Sequence, residues 1–139
     1  MNHYSMKVMD KNKLVEKAIE AKSKAYAPYS NFPVGAALLT EDGKLYIGAN
    51  VENASYGLTI CAERTAAFKA VLEGEKIFKA IAIAGNTEDY LPPCGACRQV
   101  LLELCGKDID VHLVNSKNEI KTLKLNELIP FSFGDEYLK

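Results

Sequence analysis

Three cysteines and one glutamate carry the chemistry that this sequence offers. Cys94-Gly-Ala-Cys97 is a C-x-x-C hook, preceded by Pro93 and followed by residues of helical pattern. Proline fixes the approach to a helix, and both thiols then reach one ion from its first turn. Taken alone, the hook is ambiguous between a redox pair, a zinc site and an accident. The redox reading wants a thioredoxin-like order of elements, which this chain does not supply. Cys61-Ala-Glu63 stands at a second helix start. A helix N-terminus carries partial positive charge and favours thiolate, the form that ligates zinc. Two such starts let thiolates converge on one metal. Structural zinc sites are closed by four protein ligands, whereas three protein ligands plus a water is the catalytic pattern. Here three thiols are placed and a fourth ligand is not.

The remaining donors do not complete the set. Cys105 follows Cys97 on the same expected helix at a distance of about 12 Å along the axis. Two ligands of one ion, each bonded at about 2.3 Å, cannot be so far apart. Cys105 therefore reads as a small buried apolar residue. His112 alternates within a strand and has no partner motif, and His3 sits near the terminus. An isolated Glu on a helix is ordinarily a solvated carboxylate. Beside a metal with an open position, Glu63 becomes a general acid and base that takes a proton from water and returns it to a leaving group. Three thiolates outweigh the charge of one Zn2+ and disfavour ionisation of that water. Arg64, on the same side of the helix as Cys61, offsets the excess, with a plain surface arginine as the alternative.

These residues need elements to hold them. The 139 residues are the size of one domain, read here as a single unit over residues 1–139, and nearly half are apolar. Residues 14–26 follow a helical period that Pro28 ends. Residues 36–40 and 45–49 flank Glu41-Asp-Gly-Lys44, a hairpin signal. Residues 50–59 read as a polar loop. Residues 61–72 read as a helix stopped by Gly74, residues 78–84 as an apolar strand, and residues 94–105 as a helix ending at Gly106. Residues 109–114 and 119–123 read as strands around a turn at Asn115-Ser-Lys-Asn118, with a last helical turn at residues 125–129. The order implies an α/β fold of three layers, a five-stranded mixed sheet with helices on both faces and residues 78–84 mid-sheet.

Composition excludes several function classes. A formal charge of −1 gives no electrostatic grip on nucleic acid or on an anionic membrane. Lys7, Lys11, Lys13, Lys17, Lys22 and Lys24 cluster early, several on the polar side of a helical pattern, and read as a solvated face. No apolar run approaches the roughly 20 residues of a membrane span, and residues 1–10 lack the apolar core of a signal peptide. The expected location is the cytoplasm, where disulfides are rare and four cysteines suggest a metal first.

C-A-E followed by P-C-G-A-C resembles the signature of the zinc nucleoside and nucleobase deaminases, and within that class the chain is similar to the small homotetrameric cytidine deaminases. The likeness covers residues 26–133. It runs through Pro28-Tyr-Ser-Asn-Phe-Pro-Val-Gly-Ala36, Asn50-Val-Glu-Asn-Ala-Ser-Tyr56, Cys61-Ala-Glu-Arg-Thr-Ala66, Pro93-Cys-Gly-Ala-Cys-Arg-Gln99 and Leu128-Ile-Pro-Phe-Ser-Phe133. Five segments in order are specific where a lone C-x-x-C is not. The resemblance implies one zinc per subunit on Cys61, Cys94 and Cys97, and hydrolytic attack at C4 of cytosine with the non-ligating Glu63 moving protons, the established chemistry of the class. It implies that Asn50 and Glu52 hydrogen-bond the ribose 3′-hydroxyl, as an amide and a carboxylate can. It also implies that Val51 lines the substrate site and that Phe32 packs on the pyrimidine. Ala54, Tyr56 and Phe133 would complete a neighbouring subunit's site. As plain alternatives, Phe32 is core and Asn50 and Glu52 are turn residues. Residues 58–60 and the tail beyond Phe133 are less typical of the family.

The expected activity is deamination of cytidine and 2′-deoxycytidine in pyrimidine salvage. A relative acting on a nucleoside antibiotic such as blasticidin S is not excluded by the Asn50–Glu52 pair. An editing deaminase on RNA or DNA would need basic surface for phosphates and commonly has His as first ligand. A non-catalytic zinc module would need the missing fourth ligand.

Overall fold

The computed structural model describes residues 9–138, so Lys7 and His3 lie outside the described residues. The first helix, α1 (Lys11–Ala21), starts at Asp10, whose carboxylate accepts the Lys13 N–H at 2.9 Å and so satisfies one orphan donor of the first turn. Leu14, Val15, Ala18 and Ala21 form its buried stripe. Lys13 and Lys17 pair with Glu16 and Glu20 on the wet face, which bears out the solvated reading of these early lysines. The helix is shorter than its periodicity suggests. One 3-10 turn at Lys22–Lys24 follows, and Ala25 is extended. The cause is a competing partner: Tyr26 N–H donates to the Asn50 carbonyl at 2.9 Å and the Tyr26 carbonyl accepts from Glu52 N–H at 2.8 Å. The chain is thus pulled into a bridge before Pro28 is reached.

The strands are β1 (Gly35–Thr40), β2 (Leu45–Ala49), β3 (Phe78–Ala84), β4 (Asp110–Val114) and β5 (Ile120–Lys124), and the remaining helices are α2 (Ala62–Leu72), α3 (Gly95–Cys105) and the single turn α4 (Leu125–Leu128). The sheet order is β2-β1-β3-β4-β5. The β3–β4 pair is parallel and the others are antiparallel, so the sheet is mixed as expected and β3 is central. The turns use the residues that the sequence marks: Gly43, Gly74 and Gly106 all take positive φ, as does Asn118.

Alternation along the strands sorts the core into two layers. Ala36, Leu38, Ile81, Ile83, Val111 and Leu113 face α2 and α3, together with Ala62, Ala66 and Ala70 of α2 and Leu101 of α3. Ala37, Leu39, Ala80, Ala82, Ala84 and Val114 face Leu14, Val15 and Ala18 of α1. Each fully buried Leu or Ile among them contributes roughly 1.5–3 kcal/mol. Small residues let the layers close up. A Cβ on Gly48 would stand 2.5 Å from the Ala62 carbonyl oxygen, the Ala66 nitrogen and Thr65 Oγ1, so α2 sits directly on β2. At the opposite edge, β5 is largely exposed, with Lys121, Thr122 and Lys124 in solvent.

Candidate active site

The first turns of α2 and α3 meet at the three cysteines. Cys61 is the N-cap of α2 and Cys94 the N-cap of α3, both with extended backbone, and Cys97 lies in the first turn of α3. An N-cap side chain commonly bonds back to the first turn. Neither cysteine does so, which leaves both sulfurs turned to each other at 3.8 Å. All three Sγ atoms lie within 4.8 Å of one another. Tetrahedral bonds of about 2.3 Å put sulfurs about 3.8 Å apart, so the set fits one zinc ion. Burial is graded: Cys97 is buried, Cys61 intermediate and Cys94 exposed, so the cluster opens on the Cys94 side. Cys61 is brought down to about 5, first by a hydrogen bond from the Cys97 thiol and then by Arg64, while the same sharing and burial push Cys97 up. Thiolate, the ligating form, is thus favoured at Cys61. Cys105, at the far end of α3, is packed against the core and pushed up to about 12 by burial, as a non-ligand should be.

Glu63 follows Cys61 by two residues, inside the first turn of α2, and is 4 % exposed. Burial lifts its carboxyl to about 7, and the negative charge of Cys61 adds to this. A carboxyl poised there exchanges a proton near neutral pH, which is what a general acid and base requires. Arg64 reaches back one turn, and its Nη2 donates to Cys61 Sγ at 3.4 Å. Its Nε is buried with no acceptor of its own. A guanidinium at that distance can offset the negative charge of Cys61, and the thiolate in turn favours the protonated form of Arg64.

The residues expected to bind substrate fall into two groups. Phe32, Asn50 and Glu52 are joined through the loop of residues 29–34. Asn50 is buried, with Oδ1 accepting from Val34 N–H at 2.8 Å and Nδ2 donating to the Phe32 carbonyl at 3.0 Å. Glu52 accepts from the N–H groups of Tyr29 and Ser30 and from the Ser30 hydroxyl. Phe32 is half-buried, its ring edge against Gly85. Val51 is half exposed and bridges Tyr26 and Ile60. The second group is more exposed. Ala54 and Tyr56 lie on an open segment ending in the 3-10 turn Tyr56–Leu58, and Phe133 stacks on Tyr137 at 5.2 Å in the C-terminal segment. His112 stays apart on the α1 side of the sheet, buried with Nδ1 2.8 Å from Thr122 Oγ1.

Sequence reasoning missed the residues that brace these groups. Thr65 Oγ1 donates toward the Ala62 and Ala49 carbonyls, tying the first turn of α2 to the end of β2 just before Asn50. Arg98 Nε donates to the Pro93 carbonyl and Nη1 to the Leu128 carbonyl, both at 2.7 Å, and Gln99 Nε2 donates to the Phe133 carbonyl at 2.8 Å. The helix that bears two thiols thus also grips the C-terminal segment. The one sequence signal was adjacency, since Arg98 and Gln99 follow Cys97 directly.

The comparisons with known proteins agree with this geometry. The family model for the cytidine and deoxycytidylate deaminase zinc-binding region matches residues 8–113. A cytidine deaminase of Halalkalibacterium halodurans is 53% identical over 128 residues, covering 92% of this chain and 97% of that protein. One of Sporosarcina psychrophila is 50% identical over 130 residues, covering 94% of this chain and 96% of the relative. The crystal structure of cytidine deaminase from Burkholderia pseudomallei superposes with a TM-score of 0.88 at 50% identity, over 90% of this chain and 100% of that one. With its thiol cluster, its buried glutamate and this match along most of its length, the chain belongs to the cytidine and deoxycytidylate deaminase family, whose members bind zinc.

Proposed function

We propose that the chain hydrolyses cytidine and 2′-deoxycytidine to uridine and 2′-deoxyuridine with release of ammonia, as a step of pyrimidine salvage. The observation that carries this reading is the juxtaposition of three thiols within 4.8 Å of one another with Glu63 buried beside them at a carboxyl lifted to about 7. Cys61, Cys94 and Cys97 would hold a zinc ion, which would supply the Lewis acidity that makes water a competent nucleophile near neutral pH. Glu63 passes one proton of the attacking water to N3, then passes the second, from the new C4 hydroxyl, to the amino group, which leaves as ammonia as the C4–N bond breaks. Arg64 balances the thiolate charge without touching substrate. Phe32 packs on the pyrimidine, Val51 lines the pocket, and Asn50 and Glu52 read the sugar hydroxyl.

The working molecule in this reading is a cytoplasmic homotetramer. Ala54, Tyr56 and Phe133 are lent to a neighbour's site, which suits their exposure: Tyr56 is 76 % and Phe133 57 % exposed. A formal charge of −1 supports a small nucleoside over a nucleic acid as substrate. Among the described residues no helix is long and apolar enough to cross a membrane. The deciding assay is ammonia release from cytidine, 2′-deoxycytidine, blasticidin S and a cytosine-containing oligonucleotide. Turnover of the first two supports the proposal, and turnover confined to either of the others overturns it.

A further inference from the structure

One hydroxyl organises the loop that carries Phe32. Ser30 Oγ donates to Glu52 Oε2 and accepts from the Phe32 N–H at 3.0 Å. The Tyr29 and Ser30 N–H groups donate to the other oxygen, Glu52 Oε1, at 3.0 and 3.1 Å. Asn31, between Ser30 and Phe32, takes the left-handed φ of 55°, which an asparagine tolerates and which turns the chain back on itself. The Phe32 carbonyl is held by Asn50 Nδ2 at 3.0 Å. Both backbone polar groups of Phe32 therefore end on the residues that read the sugar, one directly through Asn50 and one through Ser30 to Glu52. A carboxylate offers about four acceptor positions, so with these bonds made Oε2 keeps one for a hydroxyl donor. The Ser30 hydroxyl is also the main reason that the Glu52 carboxyl lies below its ordinary value, which keeps it an acceptor.

We propose that Ser30 is a positioning residue for nucleoside recognition, its hydroxyl coupling the aromatic that packs on the base to the carboxylate that reads the sugar. The inference rests on the reading of Glu52 as a ligand of the sugar hydroxyl. Ser30 does not itself touch substrate. It fixes the Glu52 carboxylate so that the remaining acceptor position on Oε2 meets the 3′-hydroxyl while Phe32 holds the ring.

The test compares cytidine with 3′-deoxycytidine, which lacks only the hydroxyl in question. In the zinc-loaded enzyme Ser30→Ala should lower kcat/KM for cytidine chiefly through KM. That penalty should exceed the penalty on 3′-deoxycytidine by about tenfold, the scale of one hydrogen bond to a charged group. Calorimetric binding of uridine and 3′-deoxyuridine should show the same difference without turnover. Ser30→Thr, which keeps the hydroxyl, should restore discrimination. Equal penalties on the two nucleosides, or no penalty, overturn the inference and leave Ser30 a loop residue. Glu52→Gln, measured in parallel, separates the two readings. If its penalty is equal on the two nucleosides, the sugar assignment itself falls. If its penalty falls chiefly on cytidine and that of Ser30→Ala does not, only the role of Ser30 falls.

Discussion

Cys61 and Cys94 occupy the same position in two different helices. Each is an N-cap, with φ near −70° and ψ near 160°, the carbonyl of each accepts the first helical bond, and their sulfurs are 3.8 Å apart. The positive ends of two helices are thereby aimed at one point, where anionic sulfur is stabilised twice. Both caps forgo the side-chain bond that Ser or Asp would make. That costs each helix up to about 1 kcal/mol and leaves the thiols to the metal.

This arrangement makes the cysteines separable by experiment. Alanine at Cys61, Cys94 or Cys97 should abolish zinc content and activity together. Cys105→Ala should retain both and lower stability by on the order of 1 kcal/mol, since it removes one sulfur from a partly packed position. Metal analysis of the purified variants decides this, and zinc loss in Cys105→Ala would contradict the ligand set.

Glu63 should be dispensable for metal and indispensable for turnover. Glu63→Gln keeps the shape of the buried side chain but cannot shuttle a proton. Its kcat should fall by about 10²–10⁴-fold with about one zinc per chain retained. A zinc-free variant would instead make Glu63 a ligand.

Gly48 tests the seating of α2. A methyl there would meet backbone atoms of Ala62 and Ala66 at 2.5 Å, and the helix that bears Cys61 and Glu63 must move away. Gly48→Ala should destabilise the fold by about 1–3 kcal/mol and weaken zinc retention against a chelator. A melting temperature equal to wild type would show that the two elements are not so closely seated.

His112 sets an acid limit on stability. It is buried at the end of α1, between β3 and β5, with Asp110, Lys11, Lys79 and Thr122 around it. Burial lowers its folded pKa below the usual value, Lys11 adds to this, and Asp110 opposes it. The unfolded chain then binds the proton more readily than the folded one. The stabilisation is complete above the unfolded value and is lost as pH falls through it toward the lower folded value. Between about pH 7 and pH 5 the melting temperature of wild type should fall more than that of His112→Gln. Parallel curves would remove His112 from the acid response.

The shared-site reading predicts complementation. Glu63→Gln and Phe133→Ala should each be poorly active alone. Co-expressed as mixed oligomers, some sites would pair an intact Glu63 with an intact Phe133 of another chain, and activity should return in part. If Phe133 serves its own chain, no mixed site holds both, and mixing restores nothing.

The metal cluster was legible because its determinants are local: Pro93 and the two C-x-x-C thiols lie within one helical turn, and Cys61 marks another helix start. The central place of β3 also followed from a local signal, since its apolar run lies between helices. What escaped was long-range bonding. Nothing in the pattern at Tyr26 announces that Asn50 and Glu52 will capture its backbone and cut the helix short. Nothing near Asn50 announces that its amide spans Phe32 and Val34. Such bonds join residues remote in sequence, so periodicity carries no trace of them.

The exposed lysines of β5 have a consequence for crowding. A sheet edge is a row of unpaired amides and carbonyls onto which another chain can add, and flat apolar edges seed fibrils. Here a strand laid along β5 would meet the charges of Lys121 and Lys124, the latter already engaged to Asp110 at 2.8 Å. Growth of the sheet by addition of another chain is therefore opposed by charge at that edge.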